Sequence, residues 1–81
     1  MKLVRVTWHD ASDQKETWLK DADIDDEPYE VVSVGFVVRD TPKYLTLAAD
    51  TCPGDETPTW GRVTKIPHGM VQRVEVLEGG E

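Results

Sequence analysis

Tyr29-Glu30-Val31-Val32-Ser33-Val34-Gly35-Phe36-Val37-Val38-Arg39 is the stretch that decides the fold. β-Branched and aromatic residues fill it. Val32, Val34, Phe36 and Val38 recur at every second position, so they share one face of an extended strand. That face is expected to point inward, and Gly35, on the other face, marks a bend or the close approach of another backbone.

Working toward the C-terminus, Asp40-Thr41-Pro42 makes a tight turn. Tyr44 to Ala49 follows as a strand, with Leu45, Leu47 and Ala49 inward. Asp50 to Pro58 carries Pro53, Gly54, Asp55 and Pro58, a turn composition that denies a helix. Trp60 to Ile66 resumes a strand, Pro67-His68-Gly69-Met70 interrupts it, and Val71 to Leu77 is the last strand, with Val74 and Val76 inward. Toward the N-terminus, Lys2 to Trp8 alternates, with Val4, Val6 and Trp8 on one side and Leu3, Arg5 and Thr7 on the other. His9 to Gln14 is a polar turn region. Lys15 to Lys20, around Thr17-Trp18-Leu19, reads as a strand returning against the first. A short helix competes there, because Asp13 and Glu16 have the spacing of a capping box. Asp21 to Pro28 is an acidic loop.

This order predicts an all-β fold. An OB-fold would want a helix where the Pro-rich 50–58 loop stands, and a β-grasp fold would want a central helix. A small five-stranded SH3-like barrel fits, with a long acidic first loop and a short helical turn, Ile66 to Val71, before the last strand. Residues 1–77 form one domain and 78–81 a frayed polar tail, because 81 residues leave room for one thin core only. Oligomerisation would relieve that thinness.

Composition narrows the function classes. The net charge is −7, which argues against direct nucleic-acid binding. No apolar run is long enough for a membrane helix, and Arg5 falls where a signal peptide needs its apolar stretch. The lone Cys52 excludes an internal disulfide framework, so a cytoplasmic setting is expected. Residues 1–30 hold nine acids against four bases, and residues 31–81 seven against five, so an anionic ligand would find the second half more receptive.

Specific chemistry is not encoded in any motif. Asp21-Ala22-Asp23-Ile24-Asp25 begins like a calcium loop, but Asp26 stands where glycine is required and Val32 where a bidentate glutamate belongs. Cys52 with His68, or His9 with Asp10, would supply a nucleophile and a base, yet no sequence neighbour activates the thiol. Two histidines and one cysteine are too few for a zinc site without a carboxylate. No metal, cofactor or enzymatic activity is expected. The three tryptophans say more: Trp8 continues an inward series, whereas Trp18 and Trp60 border loops, as lids on the core or as binding anchors. Arg39, Lys43, Arg62, Lys65 and Arg73 can gather into a patch that grips phosphate or carboxylate groups. Trp60, Arg62, Arg39, Lys43, His68 and Trp18 are therefore the candidate binding residues.

Val6-Thr7-Trp8-His9-Asp10-Ala11, Ser33-Val34-Gly35-Phe36-Val37-Val38, Asp40-Thr41-Pro42-Lys43-Tyr44-Leu45-Thr46-Leu47-Ala48 and Ile66-Pro67-His68-Gly69-Met70-Val71 together resemble short accessory proteins of tailed bacteriophages and prophages. The resemblance implies a phage protein acting inside a bacterium, a setting in which small proteins often counter host defence. The expected activity is non-enzymatic: sequestering a small nucleotide immune signal or blocking a host protein, as a homo-oligomer. An acidic decoy of nucleic acid that inhibits a nuclease or a restriction or CRISPR complex is the alternative, as is a virion or assembly accessory protein.

Overall fold

The computed structural model describes residues 2–11, 18–24, 27–54 and 56–77. Five strands make up most of it: β1 (Leu3–Asp10), β2 (Tyr29–Asp40), β3 (Tyr44–Cys52), β4 (Thr59–Pro67) and β5 (Val71–Val76). They form one antiparallel sheet in the order β4-β3-β2-β1-β5. Single 3₁₀ turns occupy Asp21–Asp23 and His68–Met70, the second where the sequence places a short helical turn. The chain is thus mainly β. The expected closure into a barrel is not found, because β4 and β5 lie at opposite edges and no ladder joins them.

The core is enclosed by a bend instead. Tyr29 to Phe36 of β2 pairs with β1, and Phe36 to Asp40 pairs with β3, so the two halves of the sheet share this one strand. Gly35 sits at the changeover, where a Cβ would lie 2.8 Å from the carbonyl oxygen of Ala48. A side chain cannot occupy that space without a backbone shift, so glycine lets β3 close over β1. A bulge between Val37 and Arg39 adds local twist just beyond it. Inside the bend Val4, Val6, Leu45, Leu47 and Ile66 are almost fully buried, and Trp8, Val37 and Val71 pack against them. The Trp8 indole Nε1–H donates to Ser33 Oγ at 3.1 Å, which satisfies its polar end and fixes the ring.

The turn between β2 and β3 is tied by its threonine. Thr41 N donates to the Tyr44 carbonyl at 2.9 Å, and Tyr44 N returns a bond to Thr41 Oγ1 at 3.1 Å. The hairpin of β3 and β4 keeps an unbroken register from Tyr44–Pro67 to Cys52–Thr59. The molecule measures 55 × 23 × 23 Å.

Three expectations are corrected. The inward face of β2 is the odd one: Val31 lies opposite Trp8, Ser33 opposite Val6 and Gly35 opposite Val4. Val32 and Val34 face outward, 56% and 53% exposed. The cause is Gly35, which must stand on the inside of the bend and carries its neighbours at i±2 with it. Val74 and Val76 do lie on the inner side, opposite Val6 and Val4, but remain exposed because β5 is an edge strand, with no further strand beside it among the described residues. Ala49 is exposed, since the outer part of the β3–β4 hairpin extends past the end of the β2 ladder. As for the strand or helix expected at residues 15–20, Trp18 to Lys20 belong to no strand, and residues 15–17 lie outside the described residues.

Candidate functional site

The β3 register separates the candidate residues into distinct places. Trp60 lies opposite Thr51, near the outer end of the β3–β4 hairpin, and is half-buried. Arg39 lies opposite Thr46, five residues away along β3 or about 17 Å. Lys43 stands in the β2–β3 turn, and its carbonyl accepts a 2.9 Å bond from His68 N. The ring Nε2 of His68 lies 2.7 Å from Asp40 Oδ1. A carboxylate can only accept, so Nε2 carries the proton in this contact. Arg39, Lys43 and His68 are thereby collected at one end of the hairpin, and Trp60 stands at the other. Trp18 is 89% exposed and belongs to neither group; it lines a surface depression with Leu19, Lys20 and Asp23.

The second-half bases do not form a single open patch. Arg39 and Lys65 flank Thr46 from the two sides and share the outer face, with their strands about 10 Å apart. The Lys65 ammonium sits over the Tyr44 ring, 5.1 Å from its centroid. Arg62 is engaged elsewhere: its Nε and Nη2 donate to the two carboxylate oxygens of Asp50 at 2.8 and 3.1 Å. It adopts φ 50°, the one described non-glycine residue in the left-handed region. The bidentate hydrogen bond holds the Asp50 carboxyl below its ordinary range and raises the guanidinium. Arg5 and Arg73 both reach Glu75, and the Arg5 bond is the larger cause of its lowered pKa.

The nucleophile–base pairing fails on register. Cys52 lies opposite Thr59, whereas His68 follows Pro67, which lies opposite Tyr44; the two are about 27 Å apart along the hairpin. Of the acidic loop, Asp21 and Asp23 lie in the first 3₁₀ turn, and Asp25 and Asp26 are outside the described residues. No group of three potential metal ligands occurs among the described residues.

A different feature was missed in the sequence. One apolar row crosses the whole sheet on its outer face: Val63 opposite Ala48, Ala48 opposite Phe36, Phe36 opposite Leu3, and Leu77 bonded through its N–H to the Leu3 carbonyl at 2.9 Å. Ala48 is fully buried within it, Leu3, Phe36 and Leu77 are half-buried, and Val63 is 54% exposed. Val34 and Val32 extend the row along β2. The signal was present in the sequence: Val31 to Val38 carries apolar residues on both of its faces.

No protein-family model, curated protein or solved structure matches the chain. No helix among the described residues is long and apolar enough to cross a membrane.

Proposed function

We propose that this chain is a non-enzymatic, phage-type inhibitor that blocks a host protein in the bacterial cytoplasm by laying its outer sheet face against it. The observation that carries the reading is the apolar row Val63–Ala48–Phe36–Leu3–Leu77 with its extension through Val34 and Val32. Monomeric proteins seldom leave a contiguous apolar surface of that kind uncovered. Arg39 and Lys65 at its border supply the charged rim that protein interfaces carry around an apolar centre. The fold that presents the face is an open relative of the SH3-like barrel, a reading supported by the meander order and by the 3₁₀ turn before β5. Sequestration of a nucleotide is less well supported, because its expected cation, Arg62, is held by Asp50.

The test compares the wild-type chain with Val34→Lys/Val63→Lys. Both positions are more than half exposed, so the variant should melt within a few degrees of the wild type. The wild type should retain a stoichiometric host protein from lysate, and the variant should bind that purified protein at least tenfold more weakly. Equal binding by the two chains would remove the outer face as the site. A large rise in melting temperature with one member of a nucleotide panel would replace the reading by ligand sequestration.

A further inference from the structure

The two edges of the sheet differ in a way that concerns self-association. An edge strand presents unpaired backbone groups and is ordinarily guarded. β4 is guarded: Pro67 has no N–H to offer, and Arg62 at φ 50° interrupts the extended backbone. β5, Val71–Val76, contains neither a proline nor a left-handed residue.

The backbone of β5 can be assigned residue by residue. Leu77 N donates to Leu3 O, and the register continues through Glu75 opposite Arg5 and Arg73 opposite Thr7. Antiparallel pairs alternate, so Leu77, Glu75 and Arg73 turn their N–H and C=O toward β1. Val74 and Val76 turn theirs toward the open edge. Gln72 is the extra residue of the bulge between Thr7 and Trp8, which marks where a ladder on that edge would end.

The side chains then select one partner and one register. If β5 meets an antiparallel copy of itself centred on Arg73, that arginine faces its own copy. Centred on Glu75, the two glutamates face each other. Centred on Val74, Arg73 faces Glu75 of the second copy, Glu75 faces Arg73 of the second copy, and Val74 meets Val74. Only this last register opposes unlike charges, and it is also the one in which the outward-facing Val74 forms a hydrogen-bonded pair. It would cover Val74 and Val76, 46% and 62% exposed in the single chain. The Arg73 side chain, 68% exposed and already 3.3 Å from Glu75 of its own chain, would gain Glu75 of the second copy as a further partner.

We infer that the protein dimerises through β5, antiparallel and centred on Val74, joining two five-stranded sheets into one continuous sheet of closed two-fold symmetry. The inference is independent of the proposed outer-face site and leaves that face open on both copies.

Two experiments read the register. In a Cys52→Ser background, Val74→Cys should form an intermolecular disulfide rapidly under mild air oxidation, since hydrogen-bonded antiparallel partners lie about 5.5 Å apart at Cα, within disulfide reach. Gln72→Cys should cross-link much more slowly, its two copies being four residues out of register. In sedimentation equilibrium, Arg73→Glu and Glu75→Arg should each raise the dimer dissociation constant at least tenfold. An equimolar mixture of the two should recover a dimer, because every facing pair is then of opposite sign. A wild-type chain that stays monomeric at high micromolar concentration overturns the inference. So does faster cross-linking at position 72 than at 74, or a mixture no tighter than its components. Capture of β5 by a strand from a different protein, with no self-association, would overturn it as well.

Discussion

Val6 and Val34 are the same residue type, on neighbouring strands of one ladder, yet Val6 is fully buried and Val34 is 53% exposed. The inner face of the sheet gathers its apolar side chains inside a bend; the outer face spreads an apolar row in which Val63, Val34 and Val32 stay more than half exposed. Hydrophobicity therefore does not decide burial here. The side toward which the sheet folds decides it, and Gly35 sets that side. The comparison also separates two uses of apolar area. The inner set stabilises the fold, and the outer row is available for binding a partner.

The largest expected effect strikes the inner face. Ile66→Ala should cost about 2–5 kcal/mol, most of what so small a domain has, and leave the chain largely unfolded near 37 °C. Chemical denaturation read by tryptophan fluorescence measures it, and retention of the full transition would mean that the enclosed cluster is not the core. Gly35→Ala comes next, at about 1–3 kcal/mol, because its methyl group would collide with the Ala48 carbonyl and force the two halves apart. A neutral result would show that the bend is soft. Trp8→Phe removes the bond to Ser33 Oγ together with part of the indole, and a double-mutant cycle with Ser33→Ala should isolate about 1 kcal/mol of coupling for the bond itself. On the outer face, Val34→Thr should change stability by less than about 0.5 kcal/mol while weakening partner binding, the reverse of the pattern at Ile66.

The smallest effect is electrostatic and touches neither face's apolar residues. Asp50 and Glu75 have carboxyl pKa values lowered chiefly by hydrogen bonds from Arg62 and Arg5. A lowered folded-state pKa stabilises at pH values above the ordinary carboxylate range and is lost as pH falls through the lowered value, below about pH 4. Both pairs are solvent-exposed, so the loss is slight. The denaturation midpoint should slip modestly between pH 5 and pH 3, and Asp50→Asn should flatten that slope. An unchanged slope would indicate that Arg62 and Asp50 are not paired in solution.

Much of the fold was legible because strand signals are local. The turn at Asp40 to Pro42, the five strands, the inward Val4, Val6, Leu45 and Leu47, and the interruption at His68–Met70 all follow from alternation and turn chemistry. The face of β2 was not legible by alternation alone. Val32, Val34, Phe36 and Val38 are all apolar, whereas the inner set is broken by Ser33 and Gly35, so period 2 favours the face that the structure turns outward. Gly35 held the deciding information, but its meaning depends on the Ala48 carbonyl across the bend, a contact made only in three dimensions. The candidate site failed to gather for a related reason. Arg62 is three residues from Lys65 in sequence, but its left-handed backbone and Asp50, brought opposite Gly61 by the hairpin, turn it to a different task. Closure of the barrel was likewise a property of the sheet edges, about which no single strand carries a signal.

β2 also sets a schedule for assembly. Its C-terminal half is joined to β3 through the short Thr41–Tyr44 turn, and β3 to β4 through a modest loop, so these three strands can pair with little loss of chain entropy. β1 must wait until the segment from Ala11 to Pro28 has closed, and β5 must find a strand at the far end of the chain. During synthesis on the ribosome β1 emerges first, and Val4 and Val6 stay wet until the bend at Gly35 has formed. The pairing of β1 with β5 spans the greatest separation along these 81 residues, and the strand made last becomes one of the two edges.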